Sequence, residues 1–237
     1  MTTAFWLPER RSLRVTEKNR QTGIPMSHIN PFVSISNRLS CRRDARLDRK
    51  ICGMELGAFV PTPYGESHGA TGSQSAPYLG LGVVLKDLKA TPEDSIIDIG
   101  CGKGRILAYL ASLGLPCKIT GIEINPEVCE VAKAWTSRRH PDIEVIEGDA
   151  YGLDFDDYTI MIMYRPMETD TFIGFIEQLE NSLTHNIKLY YYADGQSGYV
   201  LNGRPGWNLI ERHDIYRVKG YYIHKVPQRY SIWEYRC

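Results

Sequence analysis

Glycines and a carboxylate stand together in the central part of the chain, where they could bind a ligand. The apolar run 96–99 contains Asp98, and Gly100 follows it as the first of three glycines at alternate positions. Three glycines in five positions permit a tight turn and a close approach of the backbone to a ligand. A carboxylate inside an apolar strand is costly unless a partner compensates it. The stretch therefore predicts a buried strand, a ligand-binding turn and a helix over 105–115.

Two further predicted strands end near a carboxylate. The strand 119–124 ends in Glu123, which lies 23 positions after Gly100. An acidic residue at about this spacing holds a ribose hydroxyl in dinucleotide-binding folds. The strand 143–146 is followed by Asp149. Because parallel strands bring their carboxyl ends to one edge of a sheet, we expect these side chains to surround one ligand.

The glycine turn distinguishes two classes of ligand. A dinucleotide turn has the order G-x-G-x-x-G, but Arg105 occupies the position of its last glycine, and the order here is D-x-G-x-G-x-G. This pattern, with Glu123, Asp149 and a fourth apolar strand over 158–163, resembles the class I S-adenosylmethionine-dependent methyltransferases. The resemblance covers about residues 73–236. A nicotinamide-dependent oxidoreductase is disfavoured by Arg105 and Asp98.

The resemblance implies S-adenosylmethionine as the cofactor and a role for each strand end. Asp98 and the glycines would hold the methionine part, Glu123 the ribose hydroxyls and Asp149 the adenine amine. Ala150 would offer its backbone N–H to the ring. The predicted cofactor-binding residues are Asp98, Gly100, Cys101, Gly102, Glu123, Ile124, Asp149, Ala150 and Tyr164.

The acceptor end is less regular, because 164–167 reads Tyr-Arg-Pro-Met. Family members that methylate exocyclic amines or amides often carry an Asn-Pro-Pro-Tyr type sequence there, and Arg165 cannot accept a hydrogen bond. Arg165 either binds an acidic group of the acceptor or forms an ordinary salt bridge. Asp194, at the end of the fifth strand, is the predicted general base for a hydroxyl acceptor. The predicted catalytic residues are Asp194, Tyr164 and Arg165; a catalytically silent cofactor-binding protein of the same fold is the alternative.

Charge is divided unevenly along the 237 residues. Positions 1–50 hold 11 Lys and Arg against 4 acidic residues, a net +7, and positions 51–237 hold 17 against 24, a net −7. The body is therefore not a basic platform for nucleic acid, and we expect a small molecule, a glycan or a protein side chain as the acceptor. The sequence shows no apolar run of about 20 residues and no cysteine spacing typical of zinc sites, so we expect a cytoplasmic protein without a metal site or a membrane partner.

Three segments are predicted. Residues 1–25 form a disordered basic tail, 26–77 an N-terminal extension with a cover loop, and 78–237 the methyltransferase domain. The basic helix in the extension is either an arm for phosphate groups or a solvated face, and the lack of interleaved aromatic residues favours the second. His68, Gln74 and Tyr78 are polar groups that could reach the ligand.

The order of elements predicts an α/β fold. Strands and helices alternate from about residue 95, which is typical of a doubly wound parallel sheet with helices on both faces. Further helices are predicted over 78–88, 126–135 and 168–183, and further strands over 187–193, 207–218 and 229–236. The resemblance implies a mostly parallel seven-stranded sheet with an antiparallel last strand.

Overall fold

The computed structural model describes residues 31–237. The predicted tail, 1–25, lies outside the described residues. The strands are β1 Ser95–Ile99, β2 Lys118–Glu123, β3 Ile143–Glu147, β4 Ile160–Tyr164, β5 Ile187–Tyr192, β6 Trp207–Ile215, β7 Arg217–Val218, β8 Tyr221–Tyr222 and β9 Gln228–Tyr235. The helices are α1 Pro31–Ile51, α2 Gly65–His68, α3 Tyr78–Val84, α4 Arg105–Leu113, α5 Pro126–Arg139 and α6 Thr169–Ser182.

Seven strands form one sheet in the order β3-β2-β1-β4-β5-β9-β6. Strands β1 to β5 pair in parallel, and β9 lies antiparallel between β5 and β6. The predicted fold is therefore confirmed. The strand order reverses direction beside β1, where β2 and β4 flank it, and open α/β sheets bind ligands in the crevice at such a point.

Alternation along the strands divides the core into two layers. Ile96, Ile162 and Tyr190 face the layer that contains α3 and α4. Ile97 and Met161 face the layer that contains α6. Successive strand side chains point to opposite faces, so a strand buried on both faces reads as a continuous apolar run. This is why β1 and β4 were recognisable in the sequence.

Two elements are shorter than their patterns predicted. The helix expected over 78–88 ends at Val84, after which the chain leaves helical geometry at Leu85. The strand expected over 207–218 ends at Ile215, and 217–218 pairs with β8 in a separate hairpin. The hairpin turns at Lys219 and Gly220, both with positive φ. The alternating sequence pattern of 207–218 therefore spans two strands that belong to different sheets.

Helix α1 packs on the core through a buried ion pair. Arg105, at the start of α4, donates from Nη2 and Nε to the two carboxylate oxygens of Asp48 at 2.6 and 3.0 Å. Both side chains are almost fully buried. Asp48 also accepts from the backbone N–H of Leu56 at 3.0 Å. A bidentate pair with a further donor is the arrangement that offsets the cost of burying charge, so α1 is held firmly against the core.

Candidate cofactor-binding site

A cavity lies at the carboxyl ends of β1, β2 and β4. Eight of the nine residues predicted to bind the cofactor line it, and Asp98 is the exception; the eight are Gly100, Cys101, Gly102, Glu123, Ile124, Asp149, Ala150 and Tyr164. Its open volume is about 80 Å³. Typical small-molecule sites reach 300–1,000 Å³, so the segment that covers the cavity must move outward when a nucleoside enters.

The glycine turn after β1 forms the floor of this cavity. The N–H of Cys101 donates to Ile122 O on β2 at 2.8 Å, which fixes the turn to the neighbouring strand. Gly100 has φ +69°, and a Cβ there would lie 2.3 Å from Cβ of Pro166. A Cβ on Gly102, with φ +58°, would lie 2.7 Å from Oγ of Ser73. Only glycine fits both positions without strain, which leaves the backbone open to a ligand.

Glu123 at the end of β2 is buried and faces the cavity. Its Oε2 accepts from the N–H of Gly102 and its Oε1 from the N–H of Asn125, each at 2.9 Å. Burial raises the pKa of Glu123, whereas backbone N–H donors, among them those of Asn125 and Gly102, lower it. Each carboxylate oxygen can accept a second hydrogen bond, so the side chain is held in place and can still bind two vicinal hydroxyls.

Asp149 follows β3 at the rim of the same cavity. Its Oδ1 accepts from the N–H of Tyr151 at 3.0 Å and caps the short 3-10 helix Ala150–Gly152. The hydroxyl of Tyr151 donates to Thr171 O on α6 at 2.6 Å, which anchors this turn. A capping carboxylate keeps its other oxygen available for a ligand donor. The geometry is compatible with the predicted contact to an adenine amine.

Asp98 is fully buried in the middle of the sheet and does not reach the cavity wall. Neither carboxylate oxygen has a hydrogen-bond partner within residues 31–237. Burial raises the pKa of Asp98 well above its usual range, and the nearby Glu123 carboxylate raises it further. The role of Asp98 as a direct cofactor ligand remains a prediction.

Tyr164 and Arg165 lie where the cofactor cavity meets a second, larger cavity. Tyr164 lines both cavities, and burial raises its pKa to about 12, so it is a neutral phenol. Arg165 lines only the second cavity and donates to Oε1 of Gln196 at 2.8 Å; the described contacts include no salt bridge of Arg165. Arg165 has φ +40°. A non-glycine residue in this region costs about 1–3 kcal/mol, and such strain is concentrated at functional sites.

Asp194 lies away from both cavities, although it follows β5 as expected. It is fully buried, and its Oδ1 accepts from Nε of Arg229 at 2.8 Å. Its Oδ2 accepts from the hydroxyl of Ser231 on β9. The role of Asp194 as general base stays a prediction; in this structure protein donors surround its carboxylate, and it lines neither cavity. The preceding Ala193, with φ +57°, begins a turn into the 3-10 helix Asp194–Gln196.

The cover segment, 59–76, contributes residues that the sequence did not single out. Thr71 is tied to the end of β4, because its N–H donates to Pro166 O at 2.9 Å and its hydroxyl to Arg165 O at 2.7 Å. Of the polar groups considered in this region, His68 and Gln74 line the cofactor cavity. Tyr78 instead packs under the guanidinium of Arg105. The Gly, Pro and Ser content of the segment predicted a loop but could not indicate which of its residues face inward.

Comparison with known proteins agrees with this geometry. Residues 96–183 match a family model described as a methyltransferase domain. The demethylmenaquinone methyltransferase of Chlorobaculum tepidum is 31% identical over 78 residues, which are 33% of this chain and 30% of that protein. The probable ribosomal RNA small subunit methyltransferase A of Methanosarcina acetivorans is 26% identical over 64% of this chain and 54% of that protein. The chain thus spans between about a third and a half of the length of these relatives.

A solved structure extends the likeness over most of the fold. A methyltransferase from Pyrococcus furiosus superposes with a TM-score of 0.57 at 15% identity, over 83% of this chain and 96% of that one. At this identity the likeness concerns the fold alone. Together with the match of the central segment, it makes this chain similar to methyltransferases in that segment and in its fold.

Within residues 31–237, no helix is long and apolar enough to cross a lipid bilayer. The same residues contain no group of three or more His, Cys, Asp or Glu side chains placed to hold a metal ion.

Proposed function

We propose that this protein binds S-adenosylmethionine between β1, β2 and β3 and transfers its methyl group to an acceptor held beside Tyr164. The observation that carries the proposal is Glu123, a buried carboxylate fixed by two backbone N–H donors at 2.9 Å with its face to the cavity. These donors offset the cost of burying the carboxylate, and they fix it at the cavity wall, where its remaining lone pairs can accept from a ligand. The positive φ of Gly100 and Gly102 supports the proposal, because it forms the tight turn that brings backbone N–H groups to the cavity wall.

The residues of the chain would bind and orient the reactants. Glu123 accepts hydrogen bonds from the ribose hydroxyls, Asp149 from the adenine amine, and Gly100 and Gly102 bring the backbone against the methionine part. When bound, the cofactor supplies an electrophilic methyl group on a sulfonium. Tyr164 closes the cavity on the acceptor side, and the cover segment excludes water, so that the acceptor is aligned for in-line displacement.

The acceptor class is part of the proposal. The relatives named above are described as acting on a quinone precursor and on ribosomal RNA. The net −7 of residues 51–237 disfavours a polyanionic acceptor here, since proteins that bind nucleic acid present clustered Lys and Arg. We therefore propose a small molecule, a glycan or a protein side chain as the acceptor.

Calorimetric titration of the full chain tests the cofactor. S-adenosylmethionine and S-adenosylhomocysteine should both bind, and NAD should not. Replacing Glu123 with Gln should weaken S-adenosylhomocysteine by about 5- to 150-fold, because the amide removes charge-assisted hydrogen bonds worth about 1–3 kcal/mol.

The matched control is Glu147→Gln. Glu147 is the register partner of Glu123 on β3, but it is exposed and lies outside the cavity. Its replacement should leave affinity within twofold. Equal losses in both variants, or binding of NAD in preference to the nucleoside, would refute the assignment. Binding without transfer to any acceptor would favour the catalytically silent alternative.

A further inference from the structure

A second cavity of about 690 Å³ adjoins the cofactor cavity. It lies between α1, the cover segment and the segment 223–228 that leads into β9. The two cavities share part of their walls, including Thr71, Gln74 and Tyr164. A volume of this size accommodates a drug-sized molecule. The second cavity is therefore placed to present such a molecule to the methyl group of a bound cofactor.

Asp44 lines this cavity and is 3% exposed. Its Oδ1 has no hydrogen-bond partner within the described residues, and neither has the hydroxyl of Ser40, one helical turn earlier on the same cavity wall. A buried polar atom without a partner costs about 1–3 kcal/mol, more when it is charged. Both atoms are closed to solvent in this structure, so a ligand in the second cavity supplies these hydrogen bonds when the wall shifts to expose them.

Charge near Asp44 is also left unbalanced. The nearest cation on another element is Arg105, 4.0 Å away, but its guanidinium is already engaged bidentately by Asp48. Arg43, 3.9 Å from Oδ1, is partly exposed. One guanidinium thus lies between two buried carboxylates. A ligand that brings a hydrogen-bond donor to Asp44 would remove this imbalance.

We propose that the second cavity is the acceptor site, that it binds a small molecule through a hydroxyl or amino group, and that Asp44 accepts the proton of that group. This rests on the proposed function. In the reaction the acceptor oxygen or nitrogen forms a bond to the methyl carbon. The carbon–sulfur bond breaks with its electron pair left on sulfur. The acceptor O–H or N–H bond also breaks, and its proton passes to Oδ1 of Asp44 and then to solvent.

The other titratable groups of the cavity suit this step less well. Burial raises the pKa of Tyr164 to about 12, so it holds its proton. Burial lowers the pKa of His224 to about 4, and its Nε2 lies 2.6 Å from the hydroxyl of Tyr192, which occupies that nitrogen. Burial raises the pKa of Asp44 to about 6, a value at which a carboxylate is both ionised at neutral pH and basic enough to accept a proton.

The charged and titratable groups around Asp44 come from several elements. They are Cys41, Arg43 and Asp48 on α1, Arg105 on α4, Tyr192 on β5, and His224 and Lys225 on the segment before β9; the backbone N–H of Tyr78 also donates to Asp44 and lowers its pKa. If Asp44 is the proton acceptor, the rate of methyl transfer should fall below pH 6, and Asp44→Asn should remove that acidic limb.

The opposite face of α1 offers the competing class of acceptor. Arg42 and Arg46 are exposed there and could contact RNA phosphates. The double variant Arg42→Gln, Arg46→Gln is therefore both a control for charge change on α1 and a test of that class. It leaves the second cavity untouched, since neither residue lines it.

The experiment incubates the full chain and labelled S-adenosylmethionine with three separate pools: small metabolites, total RNA and total protein. The metabolite pool is limited to molecules below about 1 kDa, the size that such cavities accommodate. Label should enter the metabolite pool. Asp44→Asn should lower that rate by at least about 100-fold, with S-adenosylhomocysteine affinity within twofold of wild type. The double arginine variant should keep the wild-type rate.

A second measurement does not depend on turnover. The carboxyl carbon-13 resonance of Asp44 should titrate near pH 6 in the free chain, and this resonance should be absent from Asp44→Asn. Label that enters only RNA or protein, or a rate unaffected by Asp44→Asn, would overturn the acceptor site. So would the absence of label in every pool while S-adenosylhomocysteine binds. Failure of S-adenosylhomocysteine to bind at all would instead refute the proposed function.

Discussion

Asp44 should reduce the stability of the fold at neutral pH, and this can be measured without knowing the acceptor. Its pKa is raised from 3.8 to about 6, chiefly by burial. A raised pKa means that the ionised form is disfavoured in the folded chain, so the cost grows as pH rises from 3.8 to about 6, is complete above 6 and vanishes below 3.8. One pKa unit corresponds to about 1.4 kcal/mol, and the shift of about two units gives a cost of about 3 kcal/mol at pH 7.5.

Asp44→Asn should therefore stabilise the chain, because the amide has the shape of the protonated carboxyl and carries no charge. The expected gain in the free energy of unfolding is up to about 3 kcal/mol at pH 7.5 and falls to about 1 kcal/mol at pH 4.5. Urea unfolding followed by tryptophan fluorescence at both pH values measures the difference. Asp142→Asn, which removes an exposed carboxylate, is the control and should change stability by less than about 0.5 kcal/mol.

A loss of stability in Asp44→Asn at pH 7.5, or a gain that is the same at both pH values, would refute the reasoning. The first result would mean that the carboxylate is paired in the folded chain. The second would mean that the amide acts through packing and not through the charge. Either would also remove the argument that a ligand is needed to compensate Asp44.

Three further substitutions test other parts of the structure. Gly100→Ala should abolish S-adenosylhomocysteine binding and lower the melting temperature, because its Cβ would lie 2.3 Å from Pro166. An unchanged affinity in calorimetric titration would show that the glycine turn does not bind the ligand. Asp194→Asn should destabilise the chain by about 1–3 kcal/mol, since it weakens the buried hydrogen bonds that the carboxylate accepts from Arg229 and Ser231, and a urea titration that shows no change would contradict this. Asp98→Asn should leave the free chain at least as stable at pH 7.5, because burial and the nearby Glu123 carboxylate raise the pKa of Asp98 and so disfavour its charged form; a fall in the urea midpoint would show that the charge is compensated.

The residues that line the cofactor cavity could be predicted because each lies close in sequence to a recognisable strand. The glycine turn follows β1 directly, and Glu123 and Asp149 are each defined by the strand that precedes them. The position of Asp194 after β5 did not predict where its side chain lies, and the cause is again local. Ala193 adopts positive φ, and the turn that follows directs the carboxylate to Arg229 and Ser231. These partners lie more than 30 positions away, and nothing in the sequence near Asp194 indicates them.

The sequence analysis did not identify the buried face of helix α1, because that face is polar. The exposed basic residues agree with the expected solvated face, whereas Ser36, Ser40, Asp44 and Asp48 are buried. These four residues recur at intervals of four, which places them on one helical face. A stripe of small polar and acidic residues within an otherwise basic helix was the available signal. Arg105 offsets the cost of burying the Asp48 carboxylate. It lies 57 positions away in the sequence, so this pairing cannot be inferred from spacing.

Four buried aspartates among residues 31–237 fall into two kinds, according to whether protein donors match them. Asp48 and Asp194 are each matched by a guanidinium and further donors, so their charges stabilise the contacts they make. Asp44 and Asp98 keep oxygens without hydrogen-bond partners among the described residues, and their pKa values are raised. The protein supplies hydrogen-bond donors to Asp48 and Asp194 but leaves oxygens of Asp44 and Asp98 without them. Buried carboxylates without hydrogen-bond partners beside a cavity or its glycine turn are expected where a bound ligand supplies the missing partners.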